Sequence, residues 1–329
     1  MKRIIWATLL LLMASVLIPA LFLENEQPGF EAPDWEAAEE PPENGHAPAA
    51  LSDAELRFTA LVDGQAVSAD MASFLPLVLA AEMPHTFETE ALRAQAVAAR
   101  TYILYCTAHE NPRHPRADVC TEANCCLAYA DEAGLRASWG ENFQQYMQSL
   151  LEAAAFTDGQ VLAFEDTPIL AVFHSSSAGR TSAGAELWGD VPYLLSVDSP
   201  ESANDVPNFV TWVEVTPEDF RDTALLLRPE AQFSDDASSW LGETERDVSG
   251  RVRRIIIGGA EFTGSELRRL FALRSTSFIL EYRDEIFIFT VTGFGHGLGL
   301  SQYGANVMAK NGFNYREILL HYYPGTVII

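Results

Sequence analysis

At 329 residues the chain has room for one large or two ordinary domains with a real core. Lys and Arg number 21 against 46 Asp and Glu, a net charge of −25 that excludes nucleic-acid binding and disfavours anionic lipid headgroups. A partner must be neutral, cationic, or recognised locally by shape.

Ile4 to Leu23 is almost continuously apolar and follows Lys2 and Arg3. About 20 apolar residues span a bilayer, and basic flanks stay cytoplasmic. The rival reading is a cleaved signal peptide. The run is long for a signal core, and no small-x-small site follows Phe22 and Leu23. The expectation is therefore a cytoplasmic stub over residues 1–3 and an anchor over 4–23. Either reading puts the body of the protein outside the cytoplasm. Residues 24–50 carry eight acidic residues, five prolines and no Lys or Arg. Such a stretch buries too little apolar area to offset its ordering entropy and reads as an extended tether.

Residues 51–329 mix helical and strand patterns without an internal repeat, which predicts an α+β fold in one large domain, of one lobe or two. An apolar run, Phe74 to Leu79, ends before Pro84. A helix is expected from near Glu88 to Cys106, capped by Thr86 or Thr89, with a small face of Ala91, Ala94 and Ala98 continued by Thr101 and Tyr105. A second is expected over Asn142 to Ala155. Strands follow over Gln160–Phe164, Ile169–Ser175, Phe209–Val215, Val252–Gly258, Phe278–Tyr282 and Ile286–Thr292. A helix with a capping signal, Thr263 to Glu266, runs to Leu273, and a last one covers Tyr315 to Tyr322.

Glu82 is the first candidate for chemistry. A carboxyl group at the end of an apolar run has its charged form disfavoured, so its pKa rises toward the range of a general acid. Glu88 and Glu90 compete, but the first turn of a helix already explains acidic residues there.

Gly293 to Leu300 reads G-F-G-H-G-L-G-L. Alternate glycines let the backbone approach a ligand or another strand closely, and they leave His296 without shielding neighbours in sequence. Ser301 and Gln302 follow with groups suited to sugar hydroxyls. The stretch lacks the Lys of a phosphate loop. Phe173 to Thr181, F-H-S-S-S-A-G-R-T, makes a polar loop, and the absence of G-x-S-x-G argues against a serine nucleophile.

Cys106, Cys120, Cys125 and Cys126 admit disulfides in an exported domain, in three full pairings. A bridge between adjacent cysteines is strained. His114, Cys120, Cys125 and Cys126 in one short loop instead suit tetrahedral zinc, which four protein ligands would make structural.

The segments A-E-M-P, E-A-L-R-A-Q-A-V-A-A-R-T-Y, F-H-S-S-S-A-G-R-T, E-L-W-G, P-Y-L-L-S-V-D-S-P and G-F-G-H-G-L-G-L-S-Q-Y-G-A resemble the stage II sporulation protein D family, whose relatives include an amidase-enhancer protein. The resemblance runs from about Leu56 to the C-terminus and includes the N-terminal anchor. It implies a lytic transglycosylase of peptidoglycan glycan strands already stripped of stem peptides. It also implies work during forespore engulfment with the amidase stage II sporulation protein P and the membrane protein M, at the engulfing membrane. The glutamate of E-M-P, Glu82, would be its acid and base. Zinc would sit on His114, Cys120 and Cys126, with Cys125 where a histidine is expected. His174, Ser175, Ser176, His296 and Gln302 are the candidate sugar contacts. Two rivals remain: a non-catalytic glycan-binding enhancer of an amidase, and a zinc hydrolase, which four ligands in one loop disfavour.

Overall fold

The computed structural model describes residues 52–187 and 189–329. The expected stub, anchor and tether lie outside the described residues, and among those described no helix is long and apolar enough to cross a membrane.

The described chain mixes helices and short strands, as an α+β fold should. It begins with an antiparallel hairpin, Arg57–Val62 with Gln65–Asp70. Asp63 and Gly64 turn it at φ of 48° and 77°. An Asp-Gly pair with positive φ at both centres matches the right-handed strand twist. Asp70 then caps the helix Met71–Glu82, accepting from the Ser73 amide at 2.9 Å. Met71, Phe74, Leu75, Val78 and Leu79 recur at helical spacing and are all buried, so the apolar run before Glu82 is one helix face.

The helix expected over Glu88 to Cys106 spans Thr89–Thr107. It is buried nearly all round from Ala91 to Thr101 rather than on one small face. Its neighbours are the helices Met71–Glu82, Phe143–Phe156, Gln302–Lys310 and Tyr315–Tyr322. Neither Thr86 nor Thr89 caps it. Glu88 holds the N-cap position without a side-chain cap bond, and the Glu88 amide instead donates to Asn306 Oδ1 at 2.8 Å. Inside this core the Arg100 guanidinium grips Asp53 through two bonds of 2.5 and 2.7 Å.

A second core lies between residues 210 and 292. Two three-stranded antiparallel sheets form it: Ala260–Thr263, Val252–Ile257 and Leu241–Arg246, and Phe278–Arg283, Ile286–Thr292 and Val210–Val215. The helix Pro217–Leu227 seats Phe220 on Phe287, ring centroids 4.0 Å apart. The expected capping box at Thr263 and Glu266 is present, on a helix that ends at Leu270.

One expected strand is much shorter. Of Ile169–Ser175 only Phe173–His174 is strand, because the Ala171 and Val172 amides fold back onto the carbonyls of Ile169 and Leu170, both at 2.9 Å. Phe173–His174 pairs in parallel with Leu300–Ser301, which lays the glycine-rich stretch leaving the second core across the serine loop. Gly299 sits at φ 64°, and a Cβ there would lie 2.0 Å from the Val172 carbonyl oxygen. This close approach is the reason for its glycine.

Candidate active site

Glu82 is the last residue of the helix Met71–Glu82 and is half-buried. Burial raises its pKa above the ordinary 4.5, opposed by hydrogen bonds from Ala128 and Gln302. The negative end of the helix dipole acts in the same direction as burial. The Ala128 amide donates to Oε1 at 2.6 Å, and the Gln302 side-chain amide lies 3.3 Å from Oε2. Three distant stretches thus meet at one carboxyl group: the end of one helix, the loop after the cysteines, and the first turn of Gln302–Lys310.

Two aromatic residues that follow Glu82 in the chain, His85 and Phe87, pack on rings from other elements. His85 stacks on Tyr146 with centroids 3.5 Å apart, and Trp139 meets both edge-on at 5.5 and 5.7 Å. Tyr303, next to Gln302, packs edge-on against Phe87 at 4.9 Å. Of the competing carboxylates, Glu90 is otherwise engaged: it pairs with Arg93 and accepts the Tyr315 amide at 2.8 Å.

The candidate sugar contacts divide. Gln302 reaches Glu82, and Ser175 is half-buried beside it in the chain fold, its carbonyl accepting the Tyr303 amide at 3.0 Å. The polar atoms of His174 and His296 are engaged within the fold, and Ser176 Oγ is buried without a partner. His174 is buried, with Nδ1 donating to the Leu298 carbonyl at 3.1 Å and Nε2 accepting from Ser177 Oγ at 2.7 Å. Ser176 is fully buried, its backbone exchanging two hydrogen bonds with Phe294. His296 donates from Nε2 to the Phe173 carbonyl at 2.9 Å and accepts the Leu298 amide on Nδ1 at 3.0 Å. Burial, with Arg251 and Arg268 nearby, pushes its pKa down to about 4. The His296 ring is half-buried, with both nitrogens engaged by backbone groups of Phe173 and Leu298. The Ser177–His174 pair is a sealed internal contact, since Ser177 is fully buried.

Glu201 carries no sequence signal, yet it is a buried carboxylate bonded to both the serine loop and Ser301. It accepts from the Ser177 amide at 2.6 Å, the Ser199 hydroxyl at 2.6 Å and the Ser301 hydroxyl at 2.5 Å. Burial raises its pKa against these donors. By holding Ser301 and Ser177 it ties the serine loop to the chain that presents Gln302. Neither this role nor that of the Ala128 amide has a local pattern to find: one is a lone Glu after a Pro, the other a backbone group.

His114, Cys120, Cys125 and Cys126 form a cluster that could hold a metal ion, their ligand atoms all within 4.8 Å of one another. His114 Nε2 lies 3.1 Å from Cys126 Sγ, and Cys125 and Cys126 sulfurs are 3.9 Å apart. The His114 Nδ1 donates to the Ala117 carbonyl at 2.8 Å, which turns Nε2 toward the thiols. All four cysteines are free thiols, so the disulfide alternative is not realised. Cys106 stands outside the cluster, and burial pushes its thiol up to about 12.

A family model described as stage II sporulation protein matches residues 64–164, the stretch that holds both Glu82 and the His/Cys cluster. The chain is 33% identical over 258 residues to the stage II sporulation protein D of Bacillus subtilis (strain 168), covering 76% of this chain and 72% of that one. Identity to its counterpart from Bacillus amyloliquefaciens is 33% over 254 residues, with the same coverage of both chains. An amidase enhancer of Bacillus subtilis (strain 168) is 26% identical over 304 residues, covering 76% of this chain and 39% of that one. By this similarity the chain belongs to the stage II sporulation protein D family.

Proposed function

We propose that this sporulation protein is a peptidoglycan lytic transglycosylase acting on peptide-stripped glycan strands, with Glu82 as both acid and base. The observation that carries the reading is the Glu82 carboxyl group itself: burial raises its pKa, and Ala128 and Gln302 hold its two oxygens. Protonated, it donates to the glycosidic oxygen leaving N-acetylmuramic acid. As carboxylate it then takes the proton of that sugar's own 6-hydroxyl, whose oxygen closes onto C1. The bond to the leaving sugar breaks, a 1,6-anhydro ring forms, and no water is consumed. One carboxylate suffices, whereas hydrolysis by inversion or retention calls on two. Glu201, buried under three donors, is unsuited to be the second.

Gln302 and Ser175 are the proposed polar contacts to the sugars. The rings of His85, Tyr146 and Trp139 offer apolar faces for stacking. His114, Cys120, Cys125 and Cys126 would hold zinc: tetrahedral bonds of about 2.3 Å to sulfur place neighbouring sulfurs about 3.8 Å apart, close to the 3.9 Å between Cys125 and Cys126. Four protein ligands leave no open position, so the ion would supply cross-linking and not catalysis. Residues 4–23 would anchor the protein in the engulfing membrane with its folded part outside the cytoplasm, beside the amidase stage II sporulation protein P and the membrane protein M.

Mass spectrometry of stripped glycan strands treated with wild type and Glu82→Gln tests the reading. Ends in 1,6-anhydro-N-acetylmuramic acid, lost in the variant, are expected; reducing ends would mean hydrolysis and a different mechanism. The similarity to an amidase enhancer supports a second reading, a glycan-binding stimulator of an amidase. On that reading Glu82→Gln stimulates an amidase as well as wild type does.

A further inference from the structure

We propose that the His/Cys loop is the positioning device for Glu82: closing His114, Cys120, Cys125 and Cys126 on one ion fixes the Ala128 amide against Glu82 Oε1. This rests on the reading of Glu82 as the acid and base. It concerns what the loop does to that residue, beyond whether the loop binds a metal.

The loop is fastened at both ends. At its start, Val119–Cys120 pairs in parallel with Arg57–Val62, reinforced by the Thr121 amide on the Leu61 carbonyl at 3.1 Å. At its end, Ala128 donates to Glu82 at 2.6 Å and Ala130 to the Leu77 carbonyl at 3.3 Å. Between them the backbone bonds are local or long. Cys125 and Cys126 both donate to the Glu122 carbonyl, at 2.8 and 3.0 Å, and the one link back to the strand, Leu127 to the Cys120 carbonyl, is stretched to 3.4 Å. Leu127 buries its side chain in the first core, which keeps the segment on the helix without setting the direction of the next amide.

The ligand set supplies what the backbone does not. Cys120 belongs to the fastened strand, and Cys126 is two residues from Ala128. Joining them through one ion with His114 and Cys125 closes the short loop at both sides, removing the rotations that would swing the Ala128 N–H away. The consequence at Glu82 is geometric. With Oε1 held at 2.6 Å by a backbone donor, the orientation of the carboxyl group is set and Oε2 lies on the Gln302 side. Outer-shell contacts of this kind are commonly worth about 10–100-fold in activity.

The test uses the full chain loaded with zinc, stripped by chelator, and reloaded, with Cys125→Ser and Cys106→Ser beside it. Amide hydrogen exchange at Ala128 is followed together with kcat and KM on stripped glycan. Stripping should speed exchange at Ala128 and lower kcat about 10–100-fold with KM within about twofold. Exchange within residues 210–292 should not change, and reloading should restore all. Cys125→Ser should resemble the stripped protein; Cys106→Ser, outside the ligand set, should resemble wild type. Unchanged exchange at Ala128, failure to bind zinc, or a general rise in exchange through the first core would overturn the proposal, the last by making the ion a support of the whole fold. If the loaded protein forms no anhydro ends while Ala128 still responds to zinc, the transglycosylase reading fails and the link between loop and carboxyl group stands.

Discussion

Ser301 donates its hydroxyl to Glu201 at 2.5 Å, one residue before Gln302 turns its amide toward Glu82. The two glutamates are thus joined through adjacent residues of one chain segment, one sealed inside and one half-buried. Glu201→Ala leaves the Ser177 amide and the Ser199 and Ser301 hydroxyls without their shared acceptor. Stranding buried donors costs about 1–3 kcal/mol each, so a loss of about 3 kcal/mol or more in urea unfolding is expected. A loss under about 1 kcal/mol would show that the cluster reorganises around the gap.

Glu82→Gln is expected to gain stability where it loses activity. The folded-state pKa of Glu82 is raised above 4.5, so the folded protein keeps this proton to higher pH than the unfolded chain. Its contribution is therefore fully present below about pH 4.5 and is lost as pH rises through the folded value. The variant should match wild type in stability at pH 4 and exceed it at pH 7, read by thermal unfolding across that range. A constant difference at all pH would contradict the shift. Loss of the acid should lower turnover about 10²–10⁴-fold.

The histidines act in the opposite direction. His296 is held neutral to about pH 4, and burial lowers His174 well below its ordinary value. The unfolded chain takes up these protons near pH 6.5, so stability is complete above that and declines as pH falls toward 4. Urea midpoints at pH 7, 6, 5 and 4 should fall, with a shallower fall in His296→Gln.

Arg100 and Asp53 form an ion pair with almost no solvent contact. Arg100 also donates to the carbonyls of Gln160 and Ala154 at 3.0 and 3.2 Å, so it joins Asp53 to the helix Phe143–Phe156 and the segment that follows it. Removing one partner strands the other. Asp53→Ala should cost about 3–5 kcal/mol, and the double change Asp53→Ala, Arg100→Leu should recover part of that loss. Equal losses in single and double variants would place the energy in packing, not charge.

Much of the fold was legible along the chain because it is local. The helices at Thr89–Thr107, Phe143–Phe156 and Tyr315–Tyr322 and the strands of the second core follow from periodicity and caps. The Asp63-Gly64 hairpin is local as well, an Asp-Gly pair with positive φ at both positions. The strand expected over Ile169–Ser175 was not: its residues favour strand, but two tight turns at Ala171 and Val172 override that preference.

The sequence by itself determined the family, the candidate acid Glu82 and the four candidate ligands, since each is a residue type in a distinctive local string. Tertiary structure decided what touches them. That His296 bonds the Phe173 carbonyl, that Glu201 binds the serine loop, and that Gln302 and a backbone amide after the cysteines reach Glu82 depend on contacts between residues 24 to 220 positions apart. Side-chain identity sets what a group can do. Only the packed chain sets its solvent, its hydrogen-bond partners and therefore its proton.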